Sequence, residues 1–155
     1  KEHVNLGYQI VKDADIDERV KSAILLHHEK CDGSGYPMGL KSEDIPDFAK
    51  IITIADIYDA MTSSRIYRKA LCPFHVVRDM EQDAFTKFDP KFSLPFLKNV
   101  ATSYIGNNVK LSDGHTGEVV LINGHALSRP IVKCEGNEFV DLSKERNLEI
   151  VAVLQ

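Results

Sequence analysis

Cysteine is scarce in this chain: Cys31, Cys72 and Cys134 lie far apart and are odd in number. A disulfide framework is therefore not expected, and a reducing, cytoplasmic compartment fits. No CxxC pair is available for a zinc ribbon. No apolar run approaches the roughly 18 residues of a membrane span, and no signal peptide pattern occurs. Positive charge is also in short supply. Nineteen Lys and Arg face 23 Asp and Glu, a net charge of −4, which gives no general attraction to a nucleic-acid polymer or an anionic membrane. An anionic substrate would need a local basic cluster. Nucleophilic Ser or Cys catalysis has no nucleophile elbow to rest on, and Gly33-Ser34-Gly35 lacks the length and lysine of a phosphate-binding P-loop. An initiator Met is missing as well, and the helix-like pattern already running at Lys1 reads as a piece of a longer protein. What is present, 155 residues with 43% apolar and 27% charged side chains, suits one soluble globular domain, alone or with a small appendage.

Periodicity divides the chain in two. His3, Leu6, Gly7, Ile10 and Val11 recur at helical spacing, which predicts a short helix over 2–13 with these residues on its inner face. Asp15, with Glu18 three residues on, is the expected cap of a second helix, whose face carries Ile16, Val20, Ala23, Ile24 and His27. A loop over 29–46 precedes a third helix from Asp47 to about Ser64. Pro73 opens a fourth, to about Thr86, and Phe88-Asp89-Pro90 breaks the chain before a fifth, to about Tyr104, with Pro95 in its first turns. After Gly106 the period changes to two. Short β-branched runs at 109–112, 117–122, 129–134, 138–142 and 149–153 are separated by Asp113-Gly114, Asn123-Gly124 and Gly136-Asn137, which are hairpin-type turns. The expected architecture is mostly α: a helical domain over 1–105 and a small antiparallel β module over 106–155. The module is too small for a large core of its own and is expected to pack on helices.

The chemistry concentrates at His27-His28-Glu29-Lys30-Cys31-Asp32-Gly33-Ser34-Gly35-Tyr36-Pro37. Two adjacent histidines end a helical pattern. Gly33, Gly35 and Pro37 then force a turn, so metal-binding side chains would stand where a helix gives way to a loop. A lone inward histidine is more often a hydrogen-bonded core residue than a ligand, but His3, His27 and His28 on two consecutive helices weaken that explanation. His28 is expected about 100° round the helix from His27. The pair would then serve two different ions, or one ion and one substrate group, rather than chelate one ion. Asp56, between Ile52 and Ala60 on one helix face, is a carboxylate expected to be buried and to need a cation or strong hydrogen bonds. Arg65 is its bland partner, and Asp59 competes for its role. Arg65, Arg68 and Lys69 form the one basic cluster. They complement a helix C-terminus, or act as a phosphate clamp beside a metal site. His75, His115 and His125 are assigned to surface or turn positions, and Cys31 to packing.

These stretches, together with Gly39-Leu40, Ile45-Pro46, Ala49, Ile54-Ala55-Asp56-Ile57-Tyr58-Asp59-Ala60-Met61-Thr62-Ser63, Arg65-Ile66-Tyr67-Arg68 and Phe88-Asp89-Pro90, resemble the HD-GYP family, a branch of the HD superfamily of metal-dependent phosphohydrolases. Leu111-Ser112-Asp113-Gly114, Gly117-Glu118-Val119-Val120 and Arg129-Pro130 resemble the tail that often follows such domains. The resemblance implies an HD-type helical bundle, incomplete in this chain. It also implies hydrolysis of cyclic di-GMP to linear pGpG or to GMP by a centre of two or three iron or manganese ions. His3, His27, His28 and Asp56 match the metal ligands, and Arg65 and Arg68 match the positions that contact substrate phosphates. Asp32, Gly33, Gly35, Tyr36 and Pro37 belong to the signature loop, with Tyr36 shaping the substrate cleft or meeting signalling partners such as a diguanylate cyclase. The implied nucleophile is water activated by the metal, not a side chain.

One departure matters. The family's His-Asp doublet and its lysine lie upstream of the residue matched by His3, and this chain contains no His-Asp dipeptide. Truncation is the preferred explanation over degeneracy, and weak or absent turnover of the 155 residues alone is expected. The alternative is a non-catalytic signalling or protein-interaction module that keeps the loop and the nucleotide contacts. Cys31, where an aromatic residue is usual, and Lys50, in place of a common arginine, are smaller departures. A homodimer is compatible with the sequence.

Overall fold

The structure, a computed structural model, describes residues 1–64 and 69–154. Among them are five α-helices and a five-stranded antiparallel sheet, so the helices are followed by a β module as expected, and mostly α describes the chain only in part. Among the described residues, no helix is long and apolar enough to cross a membrane. Two compact units emerge: Lys1–Ala60 with Asp83–Leu94, and Met61–Gln82 with Pro95–Gln155. The chain passes from one to the other within its third, fourth and fifth helices. The change of period after residue 106 therefore marks where strands begin, whereas the sheet's compact unit also takes in helical segments.

In the first unit, α1 (His3–Val11) and α2 (Glu18–Leu26) are joined by a tight connection. Asp17, not Asp15, caps α2. Its backbone is extended and its carboxylate accepts the Arg19 N–H at 2.8 Å, so the helix begins two residues later than the capping-box spacing suggested. The buried Lys21 ammonium donates to the Lys12 carbonyl at 3.0 Å and to Glu18 at 2.8 Å, tying this connection to α2. A Cβ at Gly7 would stand 3.2 Å from Ile24 Cγ2, so glycine lets α1 lie close on α2. Val4 is fully buried, while Leu6 and Ile10 are 61% and 82% exposed. Of the face assigned inward, Leu6 and Ile10 thus point out while Gly7 lies against α2. Periodicity identifies an apolar stripe, but the stripe is wider than the contact with one neighbouring helix. Beyond the loop, a 3-10 turn (Ser42–Asp44) leads to α3 (Asp47–Thr62). Leu26, Ile45 and Ala49 form a small core that Leu25 and Leu40 flank.

The second unit contains most of α4 (Pro73–Asp83), the end of α5 (Pro90–Thr102) and the sheet. Pro95 lies inside α5, beyond its first turn. The strands are β1 (Asn108–Leu111), β2 (Thr116–Asn123), β3 (Ala126–Cys134), β4 (Phe139–Asp141) and β5 (Ile150–Val153), ordered β4-β3-β2-β1-β5. All neighbours are antiparallel. The turn pairs fall where the sequence placed them, with Gly114, Gly136 and Asn137 in the left-handed region that such turns require. Alternation puts Val109, Leu111, Val119 and Val132 on one face, packed with Leu142, Ile150 and Phe74 of α4 into an apolar core. Two charged side chains secure the rim. Glu81 of α4 accepts from the Leu127 and Ser128 backbone N–H groups and the Ser128 hydroxyl. The Arg129 guanidinium donates to the Leu142, Glu145 and Leu148 carbonyls at 2.7–2.9 Å.

Candidate metal centre

α2 ends at Leu26, and His27 is its C-cap. His28 therefore leaves the helix, and the 100° separation expected for neighbours on one helix does not apply. The two imidazole centroids stand 4.2 Å apart. His3, from the start of α1, joins them, and one ring nitrogen from each of the three lies within 4.8 Å of the others. His3 Nε2 and His28 Nε2 are 3.0 Å apart. Two such nitrogens at that distance share a proton or converge on a cation.

His27 Nδ1 faces the Ile24 carbonyl at 2.9 Å and the Ala23 carbonyl at 3.2 Å, so it carries the hydrogen and leaves Nε2 as the ligand atom. This outer hydrogen bond is the usual means of fixing a metal-binding tautomer. Burial, and then the neighbouring His27, push the His28 imidazole below its ordinary pKa, while Asp56 pulls the other way. One ring nitrogen from each of three histidines within 4.8 Å of the others suits a divalent metal, so the residues present fit the group that the sequence implied.

Asp56 Oδ2 is 3.6 Å from His28 Nδ1. Its carboxylate is not buried as expected: the side chain is 39% exposed, because Ile52, one turn earlier, is itself 45% exposed. Asp59 is also exposed. Tyr36 stacks on His28, with centroids 4.7 Å apart and planes at 28°. Burial and then the Asp56 charge raise its phenol pKa, so the hydroxyl remains a hydrogen-bond donor at neutral pH. Arg65 and Arg68 lie outside the described residues.

The loop that carries Tyr36 is shaped by its own backbone. Asp32 closes an Asx turn, accepting from the Ser34 N–H at 2.9 Å and hydroxyl at 2.6 Å. Both bonds hold its carboxyl below the usual range. Gly33 has φ +81°, and the Tyr36-Pro37 bond is cis. At Gly35 a Cβ would come within 2.4 Å of the Glu29 Cα and 2.6 Å of the His28 carbonyl, so only glycine lets the loop fold back on the histidine turn. Tyr36 N–H then donates to the His28 carbonyl at 3.1 Å.

Two supports have no clear signature in the sequence. Glu29, 1% exposed, accepts the backbone N–H groups of Met38, Gly39 and Leu40. Thr53 of α3 places its hydroxyl 2.8 Å from the His27 and Ala49 carbonyls. The one signal for Glu29 is a loop rich in backbone donors with no strand to receive them. Farther off, Lys50 donates to Asp89 at 2.8 Å, and the Cys31 N–H donates to the Lys87 carbonyl at 2.9 Å. His115 and His125 are exposed as expected. His75 is instead half-buried on α4, 3.7 Å from Glu149.

A helical unit that gathers three imidazoles beside a glycine-rich loop defines a candidate metal-centre protein, and a family model identifies which class. The model for the HD domain matches residues 1–92. The chain belongs to the HD-domain family, and its motifs place it in the HD-GYP branch. Among its relatives, a cyclic di-GMP phosphodiesterase of Pseudomonas aeruginosa is 34% identical over 134 residues, 86% of this chain and 32% of that protein. A cyclic di-GMP phosphodiesterase of Thermotoga maritima is 35% identical over 100 residues, 63% of this chain and 27% of that protein. A 3'3'-cGAMP-specific phosphodiesterase of Vibrio cholerae is 43% identical over 65 residues, 42% of this chain and 14% of that protein. The chain thus spans about a third or less of each of these relatives.

Proposed function

We propose that this chain is the loop-bearing part of a metal-dependent phosphodiesterase that opens a cyclic dinucleotide, cyclic di-GMP in the first place, to linear pGpG or GMP in the cytoplasm. The carrying observation is the convergence of His3, His27 and His28 within 4.8 Å, beside an aromatic ring on the signature loop. His3, His27 and His28 hold the metal through their free ring nitrogens, with Asp56 adding a carboxylate at the His28 side. Tyr36 offers a stacking face and a phenolic donor to a nucleotide. Arg65 and Arg68 clamp the phosphates. When bound, two or three iron or manganese ions neutralise phosphate charge and activate water. His27 keeps its Nδ1 hydrogen on the helix carbonyls throughout, so it contributes no proton to the reaction. In this reading the helical part over 1–105 carries the centre and the β part over 106–155 is an accessory module.

The chain has no His-Asp dipeptide, so three histidines and Asp56 make a partial centre. Weak turnover by these 155 residues alone is the expected outcome. That same observation favours the second reading, a signalling module that binds a nucleotide or a partner such as a diguanylate cyclase without cleaving. The test loads the chain with Mn²⁺ or Fe²⁺, measures bound metal, and assays cyclic di-GMP and 3'3'-cGAMP in parallel. Metal binding that is lost in His28→Ala, with slow cleavage of cyclic di-GMP, is expected. No metal bound by the wild-type chain would sink the proposal. Metal and nucleotide binding without any cleavage selects the second reading, and preference for 3'3'-cGAMP overturns the substrate assignment.

A further inference from the structure

The signature loop has exposed tips, yet its backbone donors are not left to water. Met38 and Gly39 are exposed and Leu40 half-exposed. Their three N–H groups nevertheless converge on one side chain at 2.6, 3.1 and 3.0 Å, that of Glu29. Glu29 itself is 1% exposed and bears no basic partner among the described hydrogen bonds and ion pairs. Three backbone N–H groups are the donors that satisfy its charge. The residue before it, His28, stacks on Tyr36 and accepts the Tyr36 N–H. Glu29 Cα also stands where a side chain at Gly35 would have to go. One dipeptide, His28-Glu29, therefore grips the loop twice, at residue 36 by a carbonyl and at residues 38–40 by a carboxylate. Tyr36-Pro37 lies between the two grips.

We infer that Glu29 is a positioning residue: by fixing the backbone of residues 38–40 it sets the Tyr36 ring against His28, and so places the stacking surface over the histidine cluster. Its consequence for substrate rests on the phosphodiesterase reading, but its consequence for the loop does not. The carboxylate has two acceptor oxygens, with Oε1 taking two donors and Oε2 one. An amide in its place keeps one acceptor and turns an N–H₂ group against at least one backbone donor. Shortening to aspartate withdraws both oxygens by one methylene.

The chain contains no tryptophan, so Tyr36→Trp supplies a single fluorescent reporter at the loop. In that background, Glu29→Gln is expected to raise acrylamide quenching of the reporter about twofold or more, with far-UV circular dichroism unchanged. Glu29→Asp is the companion variant if the glutamine protein does not fold. Hydrogen exchange on the unaltered chain gives an arm independent of any variant: the amides of 38–40 should exchange slowly despite their exposure. Fast exchange at these amides, or unchanged quenching in a folded variant, overturns the inference. With the full-length enzyme, Glu29→Gln should raise KM for cyclic di-GMP about tenfold with bound metal unchanged. Loss of metal instead would assign Glu29 to the histidine cluster and overturn its role as a positioning residue for the loop. The exchange and quenching arms need neither metal nor substrate, so they decide the point even if the chain proves not to be a phosphodiesterase.

Discussion

The two compact units use opposite means of holding themselves together. The unit with the histidines buries four polar side chains, Lys21, Glu29, Thr53 and Ser93. It leaves Leu6 and Ile10 largely in solvent and Ile51 and Ile52 a little under half exposed. The sheet's unit buries no polar side chain to that degree among the described residues, and its core of Phe74, Val109, Leu111, Val119, Val132, Leu142 and Ile150 is wholly apolar. In the first unit the buried groups point at backbone: Glu29 at three N–H groups, Thr53 at two carbonyls, Lys21 at one. A core of that kind gives shape to a loop more than it gives stability, since a satisfied buried hydrogen bond adds only about 1 kcal/mol net while an unsatisfied one costs more. The sheet's core does the reverse, because apolar burial is non-directional.

Truncation in the apolar core should produce the largest effect. Leu111, 1% exposed, packs among the sheet residues and Phe74, and Leu111→Ala is expected to cost about 3 kcal/mol in urea unfolding. Bound metal per folded molecule should stay unchanged. If metal is lost together with stability, the contrast between a stabilising unit and a shaping unit fails. Glycines sharpen the same contrast. Gly35→Ala places a methyl against the Glu29 backbone at 2.4 Å, and about 2 kcal/mol or more is expected from the forced shift. Gly114, with φ +97° and open space around it, should cost only about 1 kcal/mol as alanine. Equal costs at the two positions would show that crowding at the histidine turn is not what requires Gly35.

Lys50 and Asp89 make the intermediate case. Both side chains are mostly buried, at 10% and 20% exposure, and meet at 2.8 Å. The Lys50 ammonium, ahead of the Lys91 N–H, holds the Asp89 carboxyl below its usual range. A carboxyl lowered on folding contributes stability that is complete above its unfolded value of about 3.9. That contribution is lost as pH falls through the folded value. Lys50→Met is therefore expected to cost about 2 kcal/mol near neutral pH. The two proteins should converge in stability as the pH is taken below the ordinary carboxylate range. A difference that persists undiminished in acid would assign the effect to lost packing of the lysine stem.

How far the sequence foretold this arrangement depends on how local each feature is. All five helices and five strands were legible, and so were the three turn pairs, because period and Gly or Asn placement act within a few residues. Membership of His3, His27 and His28 in one cluster was legible from type and spacing. Their mutual geometry was not, since it turns on α2 stopping at Leu26 and releasing His28 from the helix. Asp17 displaced Asp15 as cap for a similar reason: α2 starts at Glu18, directly after Asp17. Glu29 stood beside the doublet in plain view. Its partners lie nine to eleven residues on, in a loop whose path no periodicity describes.

The smallest predicted effect tests the remaining mismatch, the outward apolar face of α1. Ile10 is 82% exposed and Leu6 61% exposed, whereas Val4 on the same helix is fully buried. A substitution at a position that touches little changes stability by no more than about 0.5 kcal/mol, and lysine keeps good helix propensity. Ile10→Lys in the 155-residue chain should therefore leave the urea midpoint nearly unmoved, while Val4→Ala, which opens a void at a fully buried position, should lower it measurably. The pair separates two explanations of the stripe His3, Leu6, Ile10. If both variants destabilise alike, α1 buries its whole apolar face, and the period alone would have been the correct guide. If only Val4→Ala does, the contact with α2 runs through Val4 and Gly7. His3 then stands at the edge of that contact, close enough to meet His28 at 3.0 Å and exposed enough to receive an ion from solvent.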